Sequence, residues 1–208
     1  MERNKLTNDT SSWYAEVGSA YLVHDIVRSD LHVARRVVAG LIGKAPESSV
    51  DSAPIPAIED PRRTYLRLRT TLYNRPAVVV IECCVEDVLE TDYERVVRRY
   101  ERERARDPES VVYVVYLTLF TQNERDAGER AEEPPTFAVY QRALDSLRAR
   151  KLPHDAPDGV FHVSWREFHA IIRPTIDRLS PHVRRLVEIH RDWIESEGCR
   201  SAERRRIS

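Results

Sequence analysis

A β-strand sets residues i and i+2 on the same face. In Ile81-Glu82-Cys83-Cys84-Val85-Glu86 that spacing lines up Glu82, Cys84 and Glu86, provided the strand runs that far. A mixed carboxylate and thiolate set would suit a transition metal better than magnesium, because thiolates are soft ligands. Glu82 on its own has a plainer role, as a carboxylate paired with a neighbouring arginine. Cys83 and Cys84 sit in an apolar run and read as small hydrophobes rather than nucleophiles. The seven histidines are dispersed. His162 and His169 straddle a strand-to-helix turn where their rings could meet; two separate structural histidines are the alternative. No Ser-His-Asp order stands out, and a chain with six glycines has no phosphate-cradling glycine loop.

The elements that must position these residues are legible in part. Apolar residues recur at helical spacing from about Ser12 to Ile42, Gly43 and then Pro46 stop the run, and Gly18 and Arg28-Ser29-Asp30 point to two helices rather than one. Residues 45–60 are rich in Pro, Ser and Ala, which predicts a loop with one short edge strand. Thr64–Tyr73 alternates, with Tyr65, Arg67, Arg69 and Thr71 on one side and Leu66, Leu68, Thr70 and Leu72 on the other. Asn74-Arg75-Pro76 marks a turn. Ala77–Val85 is almost continuously apolar and reads as a central strand covered on both faces.

Glu90–Asp107 is a charge-dense helix with six arginines and six acids. Val96, Val97 and Tyr100 form its narrow apolar stripe, so its charges read as a solvated face. Val111–Phe120 is a second buried strand. Residues 121–133 form a polar loop, a helix follows to about Arg150, and Gly159–Val163 is a short strand. Ser164-Trp165-Arg166-Glu167 has capping-box spacing and opens a helix ending near Pro174. Ser180-Pro181 opens the last helix, which Gly198 is expected to close. Alternating strands and helices predict an α/β fold with a central mixed sheet flanked by helices.

Composition bounds the partners. Among 208 residues, 33 are Lys or Arg and 34 are Asp or Glu, for a net charge of −1. A globally basic nucleic-acid binder is excluded, although a local basic groove is not. Three basic residues are lysines (Lys5, Lys44 and Lys151) and thirty are arginines. No apolar run is long enough to cross a bilayer. The polar N-terminus has no secretory signal segment, which implies the cytoplasm. The expected organisation is a single domain over 1–198, with a helical part at 12–43, a core at about 64–173 and a C-terminal helix at 180–197. Residues 199–208 are expected to be a disordered basic tail.

The order of motifs from Pro76 to Thr118 carries a resemblance. A buried strand contains Ile81-Glu82-Cys83-Cys84-Val85. The next helix carries Arg98-Arg99-Tyr100, and the next strand ends Tyr116-Leu117-Thr118. Further on comes Val163-Ser164-Trp165-Arg166-Glu167-Phe168. This resembles the PD-(D/E)XK nuclease superfamily, in the bacterial branch whose corresponding motifs read I-E-N-K-I, Q-L-x-R-Y and Y-L-T. The resemblance covers about residues 64–173 and implies a restriction-endonuclease-like core with additional C-terminal helices. In that family an Asp on the preceding strand and the strand Glu hold magnesium, and the Lys helps to activate water. Hydrolysis of a phosphodiester needs such a metal to generate the nucleophile and stabilise charge.

By that resemblance Glu82 takes the place of the Glu and Cys84 that of the Lys. A thiol cannot imitate an ammonium. Arginine-rich composition predicts Arg, not Cys, at a motif lysine, so Cys84 reflects a lost demand for a cation. The preceding strand offers Arg67, Arg69, Thr70 and Thr71 where the Asp is expected. Glu59 and Asp60 lie before that strand, Glu16 or Asp25 could supply a second carboxylate from the first helix, and Val96-Val97 replaces the Gln-Leu pair. The metal candidates are Glu82 and Glu86, with magnesium required only by an active enzyme.

Three functions compete. One is an impaired relative that binds nucleic acid or a protein, in a bacterial defence setting that the resemblance alone implies. Its DNA or RNA contacts would be Arg67, Arg69, Arg99 and Tyr100. The second is an active metal-dependent endonuclease with a site relocated around Glu82. The third is an α/β interaction module without nuclease ancestry. The last helix, with Val183, Leu186, Val187, Ile189, Trp193 and Ile194, would either cover the core or pair with a second copy.

Overall fold

The computed structural model describes residues 17–56, 64–84, 90–119 and 159–207. It opens with two helices: α1 over residues 17–29 and α2 over Leu31–Ile42. Asp30 separates them. Its backbone is extended (φ −161°), and its carboxylate accepts from the N–H groups of His32 at 2.7 Å and Val33 at 3.2 Å. That N-cap satisfies two of the amides a new helix leaves unpaired. α2 stops at Gly43, whose φ of 69° lies in the left-handed region that glycine enters without strain.

Next come β1 (Asp51–Pro56), β2 (Thr64–Leu72), β3 (Arg75–Cys83), α3 (Glu90–Arg106), β4 (Val111–Thr118) and β5 (Val160–Ser164). Then follow α4 (Trp165–Ile172), a 3-10 segment (Arg173–Arg178) and α5 (Pro181–Ile207). The strands form one sheet in the order β1-β2-β3-β4-β5. β1, β2 and β3 are antiparallel neighbours, whereas β3–β4 and β4–β5 are parallel. The protein is therefore α/β with a mixed sheet. β1 supplies the short edge strand, and its two prolines are tolerated because an edge strand need not donate every amide. The β2–β3 turn falls at Tyr73-Asn74, one residue earlier than the sequence predicts. Both residues have positive φ (51° and 57°), as the two-residue hairpin turn that follows strand twist requires.

Strand alternation divides two cores. On one face Leu66, Leu68, Ile81, Val115 and Leu117 pack with Val23, Val37, Trp165, Phe168 and Val187 from α1, α2, α4 and α5. On the other face Tyr65, Val78, Val80, Val114 and Tyr116 pack with Val96 of α3. β3 is buried from Ala77 to Cys83, as its apolar run predicts. The Ser164–Glu167 capping box is formed in both directions, at 3.1 and 2.9 Å, and starts α4 where its spacing places it.

Two expectations need correction. α5 does not stop at Gly198, and residues 199–207 are helical rather than a disordered tail. A single glycine lowers helix stability by only about 1 kcal/mol, and the Ala, Glu and Arg that follow are good helix formers. The α3 charges are not all on a solvated face, as described below. On α5, Val183, Val187 and Ile194 are buried and Ile189 is 50% exposed.

Gly40 lies where α2 packs against α4. A Cβ there would collide with the side chain of Ile171. Gly40→Ala should therefore destabilise by about 1–3 kcal/mol through overpacking, although alanine is the better helix former. Urea denaturation would measure it, and a stabilised variant would contradict the close packing.

Candidate functional site

Glu82 lies near the C-terminal end of β3, on the face covered by α3. Sheet register puts it between Tyr65 of β2 and Tyr116 of β4, and Tyr116 in turn sits beside His162 of β5. The result is one row, Tyr65–Glu82–Tyr116–His162, across four strands. Each of these four side chains is buried. His162 Nε2 lies 2.7 Å from Thr118 Oγ1, and its ring stacks against Tyr116 at 5.8 Å.

Both oxygens of Glu82 face guanidinium groups. Arg99 Nε donates to Oε1 at 2.9 Å, and Arg95 Nε lies 3.5 Å from Oε2. Each arginine also covers an aromatic ring from the same row. Arg99 sits 4.2 Å from the Tyr65 ring centre, and Arg95 sits 5.6 Å from that of Tyr116 while donating to its hydroxyl at 3.3 Å. A second buried set lies further along α3. Arg67 Nε donates to Glu103 at 3.0 Å, and its Nη2 donates to Asp107 at 3.4 Å. Tyr65 stands between the two sets. Burial first, and then the charge of Glu103, raise its phenol pKa.

These six groups comprise three arginines and three carboxylates, so their charges cancel. Arg95, Arg99 and Glu103 of α3, with Asp107 just past its end, recur every fourth residue and form one stripe. Arg99 and Glu103 are only 5% and 2% exposed, so this stripe belongs to the packed side of α3. Desolvating such charges is tolerable only because each has a partner. The signal was present in the sequence: Glu82 in an otherwise apolar stretch of β3 and Arg67 in the alternating β2, with a two-plus, two-minus ladder along the following helix.

The candidate residues are thus distributed unevenly. Glu82 and Arg99 come together, whereas Arg67 joins Glu103 and Asp107, and both arginines direct their guanidinium groups to carboxylates. Tyr100 is half-buried in the α3 core, and its ring occupies the space that a side chain on Gly159 would need. Arg69 is exposed, opposite Asp51 of the neighbouring strand. Cys84 is buried just past β3. Its N–H bonds the Leu117 carbonyl at 2.8 Å and its carbonyl accepts from Trp165 Nε1 at 2.9 Å. Cys83 packs into the opposite core. Asp25 is exposed on α1, across the sheet from Glu82. Glu16, Glu59, Asp60 and Glu86 lie outside the described residues. Among the described residues, no three of His, Cys, Asp or Glu gather as metal ligands. The groups around Glu82 do not fit magnesium, since two guanidinium cations already occupy the directions a cation would take.

The histidines also pair differently from the expectation. His162 and His169 do not meet, because His162 points to the α3 face and His169 joins α5. His169 Nε2 lies 3.2 Å from His190 Nδ1, and His190 Nε2 lies 2.8 Å from Ser19 Oγ. This chain connects α4, α5 and α1 beside Trp165, whose ring is 4.7 Å from that of His190. Burial pushes His169 down to about 3, helped by His190 and Arg191, and burial alone pushes His190 down to about 4.

The class defined by these observations is a mixed-sheet α/β protein with a charge-neutral buried site at the ends of its parallel strands. No protein-family model, curated protein or solved structure matches the chain.

Two outcomes follow from this geometry. Glu82→Ala leaves Arg99 buried without its carboxylate, which should destabilise by about 3–5 kcal/mol, readable as a lower denaturation midpoint. A change under about 1 kcal/mol would mean that the pair is not buried as described. The second concerns acid. Both histidines have folded values below 6.5, so the unfolded chain binds protons that the folded chain refuses. Stability should fall as pH drops from about 6.5 toward 4, by roughly 3 kcal/mol between pH 7 and pH 5. Thermal melts across that range would measure it, and His169→Phe should flatten the profile by about half.

Proposed function

We propose that this chain is a PD-(D/E)XK-like protein with a restriction-endonuclease-like core that binds its partner rather than cutting it. The observation that carries the reading is the state of Glu82. Where the resemblance places a magnesium ligand, the carboxylate is neutralised by Arg99 and Arg95. The changes around it agree with one another. An ammonium at position 84 would add a third cation beside this acid, and a buried thiol stands there instead. An acid on β2 would be opposed by Glu103 and Asp107, and Arg67 stands there instead.

The arrangement of the matched segments also supports the reading. β3, α3 and β4 follow in the expected order, and the two strands are adjacent and parallel. Nucleic acid is the partner that the resemblance favours, within the defence setting it implies. A protein partner is the alternative occupant of the same scaffold.

The test is incubation of the full chain with supercoiled plasmid and magnesium or manganese. No nicking or linearisation above the level of Glu82→Gln is expected. Metal-dependent cleavage that Glu82→Gln abolishes, in a variant that still melts cooperatively, would instead establish an active endonuclease.

A further inference from the structure

His190 of α5 uses both of its ring nitrogens. Nε2 lies 2.8 Å from Ser19 Oγ of α1, and Nδ1 lies 3.2 Å from His169 Nε2 of α4. The fourth nitrogen of the two rings, His169 Nδ1, is buried without a hydrogen-bond partner. Two neutral imidazoles carry two protons. These fit the geometry with one proton between the rings, the other on His190 Nε2 toward Ser19, and His169 Nδ1 bare. A third proton does not fit. The facing nitrogens share a single proton position, since two N–H groups there would point at each other. Whichever ring takes the extra proton, an N–H must then stand on His169 Nδ1, where it meets no acceptor. A buried cation with an unpaired donor is costly to keep.

The surroundings do not offset that charge. α4 contributes Trp165, 4.7 Å from the His190 ring, and Phe168, 6.0 Å from the His169 ring, while its Glu167 is held in the capping box. α5 adds Trp193 and Arg191. Arg191 opposes a charge on His169, and its own carboxylate neighbours, Asp192 and Glu195, are exposed. α1 presents Ser19, which does not titrate; its His24 bonds Ser52 of β1 and its Asp25 is exposed. In the 3-10 segment before α5, Asp177 is exposed beside Arg184. Among the described residues, no carboxylate favours the charged form of either ring.

Of the three helices this chain joins, α5 is held by the fewest buried side chains. α1 buries Ala20, Leu22, Val23, Ile26 and Val27, and α4 buries Trp165, Phe168, Ile171 and Ile172. The described side chains of α5 bury Val183, Val187 and Ile194. Its ion pairs Arg185–Glu188 and Arg191–Glu195 lie within the helix and would leave with it. Arg184 ties the start of α5 to the carbonyls of Asp177 and Leu179 at 3.3 and 3.4 Å, which places a pivot at Leu179-Ser180.

We infer that His190 is an acid-released clasp, which holds α5 against α4 and α1 while the histidine pair carries two protons and frees it when a third arrives. Release uncovers Trp165 and Phe168. Docked, both rings lie below their ordinary 6.5 because of burial; undocked, they regain it, so protons favour the undocked helix as pH falls below about 6.5. Undocking should grow roughly a hundredfold from pH 7 to pH 5. The clasp is independent of what the α3 side of the sheet binds.

The experiment is amide hydrogen exchange on the full chain at pH 7 and pH 5, read as protection factors over a series of low urea concentrations. The proteins are the wild type, H169Q/H190Q, whose amides cannot take up a proton, and a control H182Q that removes an exposed histidine of α5. In wild type and H182Q, α5 amides should exchange through a local opening, with a weaker urea dependence than β3 and β4 amides, and that opening should grow roughly a hundredfold at pH 5. In H169Q/H190Q the opening should be equal at both pH values. Where that variant is already open at pH 7, the single H169Q should keep only about a tenfold change, and a full hundredfold there would overturn the inference. So would wild-type α5 protection that is equal at the two pH values, or α5 and sheet amides that share one protection factor and one urea dependence, which would mean that α5 leaves only when the whole chain unfolds.

Discussion

The packing of α3 depends on an electrostatic register. Two cations stand above an anion of β3, and two anions stand above a cation of β2. Sliding α3 by one turn would put Arg99 or Glu103 against a like charge or none, in an environment where an unpaired charge costs several kcal/mol. Apolar packing alone would specify this less sharply, because Val96 and Tyr100 give α3 only a narrow greasy strip. The charges thus add specificity to a helix whose hydrophobic contribution is small. The two tyrosines strengthen the arrangement, since Tyr65 and Tyr116 present ring faces to the same guanidinium groups that hold Glu82.

The opposite face of the sheet uses ordinary means. Trp165, Phe168, Ile171 and Ile172 of α4 are buried with the apolar sides of α1, α2 and α5. Three polar groups (Ser19, His190 and His169) are linked there by hydrogen bonds across three helices, while His169 Nδ1 is buried without a hydrogen-bond partner. That solution requires neutral imidazoles. The polar network on this face is therefore sensitive to acid. Trp165 connects the two sides, since its ring packs on His190 while its indole N–H reaches the Cys84 carbonyl beside the Glu82 row.

Much of the fold was legible because its signals are local. The Asp30 break, the Gly43 stop, the alternation of β2, the apolar run of β3 and the Ser164 capping box each depend on a few neighbouring residues. What local pattern could not reveal was partnership across the sheet. The α3 ladder reads as a solvated face until the strand beneath it is known to contribute Glu82 and Arg67. Likewise His169 finds His190 rather than His162, because alternation sends His162 to the other face and only the docking of α5 brings His190 near. The tail after Gly198 was misread for a simpler reason: one glycine is a weaker stop than a glycine in left-handed geometry such as Gly43.

The edge of the sheet at β1 has a consequence for assembly. A strand from another molecule could extend the sheet there only by exchanging main-chain hydrogen bonds with Asp51–Pro56. Pro54 and Pro56 have no N–H to exchange, so two of six residues present no donor to an incoming strand. Edge-to-edge stacking through β1 is thereby discouraged at the level of the backbone.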